Sequence, residues 1–144
     1  MKRHPALRSF SDDHHQGLVH ALRLKRATDD LEGTARTFLA FWHADTKLHF
    51  RREEEELLPV LALDGMDLEQ EPFTRMLHQH ARLHGLVRRL DGKLGSSERV
   101  EREDLETLGN LLEAHIRLEE RVVFPRIEAA LSEEALAQIA AAEA

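Results

Sequence analysis

The chain has 144 residues, with 27 acidic and 20 basic side chains and a net charge of -7. That length suits one domain with its own core, and we predict a single domain over residues 1–144. The sequence contains no cysteine, which excludes disulfide scaffolds, thiolate metal sites and iron–sulfur clusters. The acidic charge argues against nucleic-acid binding. Because the sequence shows neither a membrane-length apolar run nor a signal-type segment, we expect a cytoplasmic protein that does not bind membranes.

The first half of the chain predicts two helices. Residues 1–10 have mixed charge and are expected to form an N-terminal arm. The Ser-Asp-Asp run at 11–13 supplies capping oxygens and negative charge, so a first helix is predicted from there to about Asp30. Gly33 favours a break, and a second helix is predicted over about 35–63. Its apolar stripe at helical spacing comprises Phe38, Phe41, Trp42, Leu48, Leu57 and Val60.

The second half repeats this organisation. A third helix is predicted over about 72–94 and, after the Gly-Ser-Ser break at 95–97, a fourth over about 98–127. The stripe of the fourth helix comprises Leu105, Leu108, Leu112, His115, Glu119 and Val122. Ser132 is then expected to cap a short alanine-rich helix at the end of the chain.

The predicted fold class is all-α. Leucine, alanine, glutamate and arginine are abundant, and all four favour helix. Four long helices with short connections favour antiparallel neighbours, and hence an up-down-up-down four-helix bundle with a short extra C-terminal helix. The bundle core is expected at about 11–130, between the arm and the C-terminal helix at 132–144.

An internal repeat relates the second and fourth helices. Residues 49–59 and 115–125 each contain a histidine, a glutamate four positions later, another glutamate five later and a proline ten later. His15 and His80, each followed by leucine three positions later, are separated by nearly the same offset and relate the first and third helices in a similar way. The chain therefore resembles two helix pairs joined as a pseudo-repeat.

The repeat predicts metal ligands on one helix face. Residues four apart on a helix are neighbours on the same face, and His115 and Glu119 lie within the apolar stripe of the fourth helix. They are therefore predicted to face the core, where an unpaired carboxylate is costly. A metal ion bound to the carboxylate removes that cost. His49 and Glu53 are predicted to do the same on the second helix.

Histidines on the other two helices complete the predicted site. His80 and His84 are four apart and can reach one metal from one face, and His15 approaches from the first helix. Two carboxylates between imidazole clusters suit a pair of metals that both carboxylates bridge. Imidazole and carboxylate without thiolate favour iron or manganese, with zinc also compatible. The predicted ligands are His15, His49, Glu53, His80, His84, His115 and Glu119.

Some neighbouring residues admit a second interpretation. His14 and His15 are adjacent, so only one can face the core. We predict His15, because apolar residues follow it at the same spacings as they follow His80. His43 is a candidate for an outer contact with the site. The acidic residues beside the motifs are interpreted as a solvated face, and they are Glu54, Glu55, Glu56 and Glu120.

Three motifs together carry a family resemblance: the Asp-His-His-Gln-Gly-Leu run at 13–18, the two His-x-x-x-Glu-Glu repeats with their prolines, and the His-x-x-x-His pair. They resemble the hemerythrin-like (HHE cation-binding) domain family over about residues 10–130. The resemblance implies a non-haem di-iron centre with an oxygen-derived bridge. One iron would be held by His80, His84 and His115. The other would be held by His15 and His49, with Glu53 and Glu119 bridging both.

The predicted ligand set is asymmetric. His80 has a helical partner at His84. The matching position after His15 is Val19, which cannot bind metal. One metal then has three histidines, and the other has two histidines and an open coordination position. We therefore expect a protein that binds dioxygen or a related small ligand, for oxygen binding, sensing or a redox response.

Two further functions are alternatives. The same centre could turn over peroxide or nitric oxide as an enzyme, or belong to an iron-handling or regulatory module that works through a protein partner. The sequence contains no tyrosine, so no phenol is available as a ligand or radical. The cavity at the centre is expected to be apolar and lined by Phe50, Leu83, Leu112, Ile116 and Val122.

Overall fold

The computed structural model describes residues 2–143, and this part of the chain contains helices and no strand. The predicted all-α class is therefore confirmed, while the up-down-up-down order of a four-helix bundle stays a prediction. A 3₁₀ turn at Pro5–Leu7 precedes the first long helix. The helices are α1 (Arg8–Arg26), α2 (31–63), α3 (Phe73–Leu94), α4 (102–130) and α5 (Glu133–Ala142). No helix in the described range is long and apolar enough to cross a membrane.

Helices α2 and α4 each widen into a π-helical turn at the repeated motif. The turns are Glu53–Leu57 and Glu119–Val123, and each begins at the first glutamate of its repeat. In the first turn the Leu58 N–H donates to the carbonyl oxygen five residues back. Pro59 and Pro125 follow these turns. A proline ring lacks an N–H and clashes with the carbonyl four residues earlier, so a π turn accommodates it without ending the helix.

The π turns change which residues face the core. Each one shifts the register of the residues after it relative to a helix of uniform period. Leu48 follows a third π turn at Trp42–Thr46 and is 55% exposed, and Val122 lies within the last one and is 42% exposed. The prediction that these two side chains belong to the core stripes was wrong. Phe38, which precedes all three turns, is buried as expected.

The start of α2 differs from its prediction because of a local cap. Asp30 has a φ of 44° and its side chain accepts a hydrogen bond from the Gly33 N–H at 3.1 Å. A Cβ atom at Gly33 would collide with that carboxylate. Gly33 therefore lies inside the first turn of α2, which begins at Leu31, and does not break the helix.

The starts of the other helices also depend on local hydrogen bonds. Helix α1 begins at Arg8, earlier than predicted, directly after the 3₁₀ turn. Helix α4 begins at Arg102, where Glu101 and Asp104 cap one another's backbone N–H groups reciprocally. The predicted cap of the last helix is confirmed, because Ser132 Oγ accepts from the Ala135 N–H at 3.1 Å.

Two buried apolar clusters fill the interior. One contains Phe10 and Leu57 with the buried face of α5, and the other contains Phe38, Trp42 and Leu112. On each of α1 to α4, one buried histidine or glutamate lies in sequence between residues of the two clusters, and these are His14, Glu53, His80 and Glu119. The fold therefore places a band of polar side chains between two apolar regions, where water has little access.

Candidate metal centre

Six ionisable side chains from four helices are buried together. Each is at most 5% exposed, and the two glutamates are fully buried. They are His14 on α1, His49 and Glu53 on α2, His80 on α3, and His115 and Glu119 on α4. Buried charges are costly unless they are paired or bound to a metal, so this cluster requires a chemical reason.

The six side chains form two overlapping groups. One combines His14 and His49 with both glutamates, and the other combines His80 and His115 with the same two glutamates. Within each group, one ligand atom from every residue lies within 4.8 Å of the others. We call these groups the first and the second metal position. Because the carboxylates of Glu53 and Glu119 belong to both, each can bridge two metal ions.

Each carboxylate faces two histidines from different helices. Glu53 lies 3.2 Å from Nε2 of His49, its neighbour on α2, and 3.1 Å from Nε2 of His80 on α3. Glu119 lies 3.1 Å from Nε2 of His115 on α4 and 2.8 Å from Nε2 of His14 on α1. The four imidazoles thus present their Nε2 atoms to the same pair of carboxylates.

The arrangement leaves buried polar atoms without hydrogen-bond partners. Within the cluster these atoms are Nδ1 of His14, Nε2 of His49, His80 and His115, both side-chain oxygens of Glu53 and Oε2 of Glu119. Such atoms are rare in folded proteins and cost free energy. Imidazole nitrogen and carboxylate oxygen are also the donors that non-haem iron, manganese and zinc accept. The residues present therefore fit a pair of metal ions.

The other ring nitrogen, Nδ1, of three of the histidines is hydrogen-bonded to an acceptor. Metal-binding histidines usually hold an acceptor there, and it orients the ring and strengthens its donor atom. The pairs are His49 with Asp13 (3.0 Å), His80 with Glu54 (2.6 Å) and His115 with Gln79 (2.7 Å). Nδ1 of His14 has no hydrogen-bond partner and lies 3.5 Å from the carboxylate of Glu120.

The second glutamate of each repeat faces a histidine on another helix. Glu54 on α2 accepts from His80 on α3, and Glu120 on α4 forms an ion pair with His14 on α1. Glu54 is exposed and Glu120 half-buried, as a solvated face requires, but the interpretation missed their contacts with the cluster. Sequence spacing along one helix could not reveal these contacts, because each contact joins two helices.

The buried histidines favour the protonated state between these carboxylates. Burial alone would lower the pKa of His14, but Glu119 and Glu120 outweigh burial and raise the pKa to about 9. The same balance, with both buried glutamates and Glu54, raises the pKa of His80 to about 11. Burial opposes ionisation of Glu119, yet its histidine neighbours hold its pKa well below the usual range. A metal ion that binds here must displace protons.

The structure places His14, and not His15, in this cluster. His15 is exposed, whereas the ring of His14 stacks on Phe124 with centroids 5.6 Å apart. The prediction that His15 faces the core was wrong. The offset from His14 to His80 equals the offset from His49 to His115, whereas the offset from His15 is one position shorter. That shared offset was the sequence signal that could have identified His14.

His84 lies outside both groups. It is half-buried, and its ring meets the edge of Trp42 with centroids 5.2 Å apart. The structure therefore brings two histidines to each metal position, and not three to one and two to the other. His43 is also remote, since it is exposed and pairs with Asp91 at 3.2 Å.

A cavity of about 540 Å³ adjoins the cluster. Its apolar wall includes Phe50, Leu112 and Ile116, three of the side chains predicted to line it. Histidines of both positions, among them His49 and His115, also line it. The cavity gives a small molecule space beside both metal positions.

Comparison with known proteins agrees with this geometry. The sequence model of the hemerythrin HHE cation-binding domain matches residues 7–127. The chain belongs to the hemerythrin HHE cation-binding domain family. The matched range contains all six buried histidines and glutamates, so the cation-binding property of the family coincides with the cluster. Searches of curated proteins and of solved structures give no significant match.

Proposed function

We propose that this chain binds two iron ions and, through them, dioxygen or a related small ligand. The observation that carries the proposal is the pair of four-residue groups that share two fully buried carboxylates. A single ion would leave two of the four imidazoles without a partner. Two ions bridged by Glu53 and Glu119 engage all six side chains.

The donors of each position suit iron. The first position offers His14 and His49, the second offers His80 and His115, and the two glutamates serve both. Sites of imidazole and carboxylate that keep open coordination positions are typical of non-haem iron that reacts with oxygen. When bound, the iron pair supplies the electrons that dioxygen accepts. Manganese and zinc accept the same donors, so metal analysis is part of the test.

The residues around the cluster hold the donors in place and limit access of water. Phe50 stacks on the His80 ring with centroids 3.9 Å apart, and its edge approaches His115 at 5.1 Å. Phe124 covers His14 in the same manner on the other side. Phe50 gives the small-ligand space an apolar wall. The hydrogen bonds at Nδ1 of His49, His80 and His115 prevent those imidazoles from rotating.

Anaerobic titration of the purified chain with ferrous iron, followed by exposure to air, tests the proposal. We expect about two irons per chain and an oxo-to-iron absorption band that appears on exposure to oxygen and disappears when oxygen is removed. A chain that retains one zinc and stays colourless contradicts it. Prompt oxidation with turnover of added peroxide or nitric oxide indicates an enzyme, and a change in oligomeric state on iron loading indicates a regulatory module.

A further inference from the structure

We propose that Arg52 is a positioning residue that couples the docking of the terminal helix α5 to the first metal position. The inference rests on the proposed function, since it assumes that metal binds there. It concerns a network of polar contacts that runs from the end of α5 to His49. Apart from His49, the residues of this network belong to neither metal position.

The inner contacts of this network hold the His49 ring in place. Nη1 of Arg52 donates to Oδ2 of Asp13 at 3.1 Å, and the same oxygen accepts from Nδ1 of His49 at 3.0 Å. Asp13 is 47% exposed, and the same oxygen of its carboxylate accepts from both the ring and the guanidinium. In this arrangement Arg52 holds the carboxylate toward the ring.

The outer contacts of this network reach the terminal helix. Nη2 of Arg52 donates to Oγ of Ser9 at 2.9 Å and forms an ion pair with Glu143. Ser9 Oγ also donates to Oε1 of Glu143 at 3.0 Å. Glu143 is the residue that follows α5, and its side chain is only 9% exposed. One guanidinium therefore connects α1, α2 and the end of α5.

A second contact joins the same groups. The guanidinium of Arg52 lies over the Phe10 ring, 4.6 Å from its centroid. Phe10 in turn meets the ring of His49 in an edge-to-face contact at 5.7 Å. Loss of Arg52 from this place would affect His49 through both the carboxylate and the aromatic ring.

Among residues 2–143, the second metal position has no such connection. At the equivalent positions of the second half of the repeat, Gln79 replaces Asp13 and Leu118 replaces Arg52. Gln79 accepts from Nδ1 of His115 at 2.7 Å with a neutral amide, which needs no cation beside it. Of the two acceptors at equivalent positions, Asp13 and Gln79, only the charged Asp13 has an arginine beside it, so the proposed coupling is restricted to the first position.

Coupling of this kind is reciprocal. Helix α5 docks through the buried side chains Ala135, Leu136 and Ile139. If its docking holds Arg52 and thereby strengthens metal binding at His49, metal binding must strengthen its docking by the same factor. Amide hydrogen exchange in α5 measures this, because local opening sets the exchange rate.

The test compares exchange in α5 with and without ferrous iron, added anaerobically to the full chain. We expect iron to slow exchange in α5 of the wild type and to have no such effect in Arg52→Leu or Glu143→Gln. Arg52→Leu should also weaken one of the two iron-binding steps by about tenfold and leave the other unchanged, with partial recovery in Arg52→Lys. Glu134→Gln, at an exposed residue of α5, is the matched control and should behave as wild type.

Each other result is decisive. Two bound irons with no change in α5 exchange overturn the coupling and leave the proposed function intact, whereas a wild type that binds no iron overturns the proposed function. If Arg52→Leu weakens both steps equally, Arg52 has only a general structural role and the inference is wrong. Should Arg52→Leu not fold, Glu143→Gln, which alters only the outer contact, decides the same question.

Discussion

The two metal positions have the same donors and different surroundings. Each has two imidazoles and shares the same two carboxylates, and one constant offset along the chain relates every donor of one half of the repeat to a donor of the other. The residues that surround these donors differ between the two positions. His49 is held by Asp13, which Arg52 neutralises, whereas His115 is held by the neutral Gln79.

This comparison separates two requirements of the centre. Two ions between two carboxylates need a complete set of donors, because a missing donor leaves a buried charge unpaired. The acceptors behind the rings are under no such demand, and they adjust how strongly each ring donates. The asymmetry between the two positions therefore lies in the acceptors, and not in the extra histidine that sequence spacing predicted.

The largest expected effect comes from the shared carboxylates. Glu119→Gln should abolish binding at both positions, because Glu119 belongs to both groups. It should also lower the free energy of unfolding of the metal-free protein by about 3–5 kcal/mol, since it leaves buried histidines without their counter-charge. Metal analysis and chemical denaturation measure the two effects. Glu55→Gln, at an exposed residue, is the control. Similar losses of metal and stability in both variants would mean that Glu119 does not face the core.

A smaller effect should distinguish the adjacent histidines of α1. His14→Ala removes a donor of the first position only, so we expect it to bind about one ion per chain in place of two. His15→Ala should bind the same number of ions as wild type, because His15 is exposed. Metal content after anaerobic loading and desalting measures both. Loss of metal in His15→Ala alone would restore His15 as the ligand.

The adjacent His14 and His15 show how much of the site sequence alone could establish. His49, Glu53, His115 and Glu119 were predictable from the repeated spacing, with which the apolar stripe of the fourth helix agreed. His14 was missed because the apolar residues after His15 outweighed the constant offset that the other donors share. Where a long-range repeat and a local pattern disagree, the repeat was the better guide here, since it reflects the geometry of the whole centre.

Other features depend on contacts that no spacing encodes. The π turns displaced Leu48 and Val122 from the predicted core, although the proline after each repeated motif was a visible sign of an irregular helix. The contacts of Glu54 with His80 and of Glu120 with His14 required the approach of a different helix. Fold class and most donors thus follow from sequence, and the outer hydrogen bonds follow only from packing.

The charges of the two positions should respond to pH. The raised pKa values of His14 and His80, about 9 and about 11, mean that their protonated forms stabilise the metal-free fold. That contribution is fully present below the ordinary histidine pKa of 6.5 and is lost as the pH rises through the folded-state values. We expect the denaturation midpoint of metal-free protein to fall between pH 6.5 and 9, and iron affinity to rise over the same range. Metal-free protein that becomes more stable over this range would contradict the assignment.

The smallest expected effect is a change in the difference in iron affinity between the two positions. Asp13→Asn should weaken iron binding at the first position by about tenfold, because a neutral acceptor strengthens the His49 donor less than a carboxylate does. Gln79→Glu should strengthen binding at the second position through His115, and the effect should be larger with Leu118→Arg, which supplies the cation that Arg52 supplies in the first half. Calorimetric titration with ferrous iron resolves the two steps. Each substitution should change the iron affinity of its own position alone, since each acceptor contacts a single imidazole. A substitution that changes both affinities equally would show that the outer hydrogen bonds act on the fold as a whole.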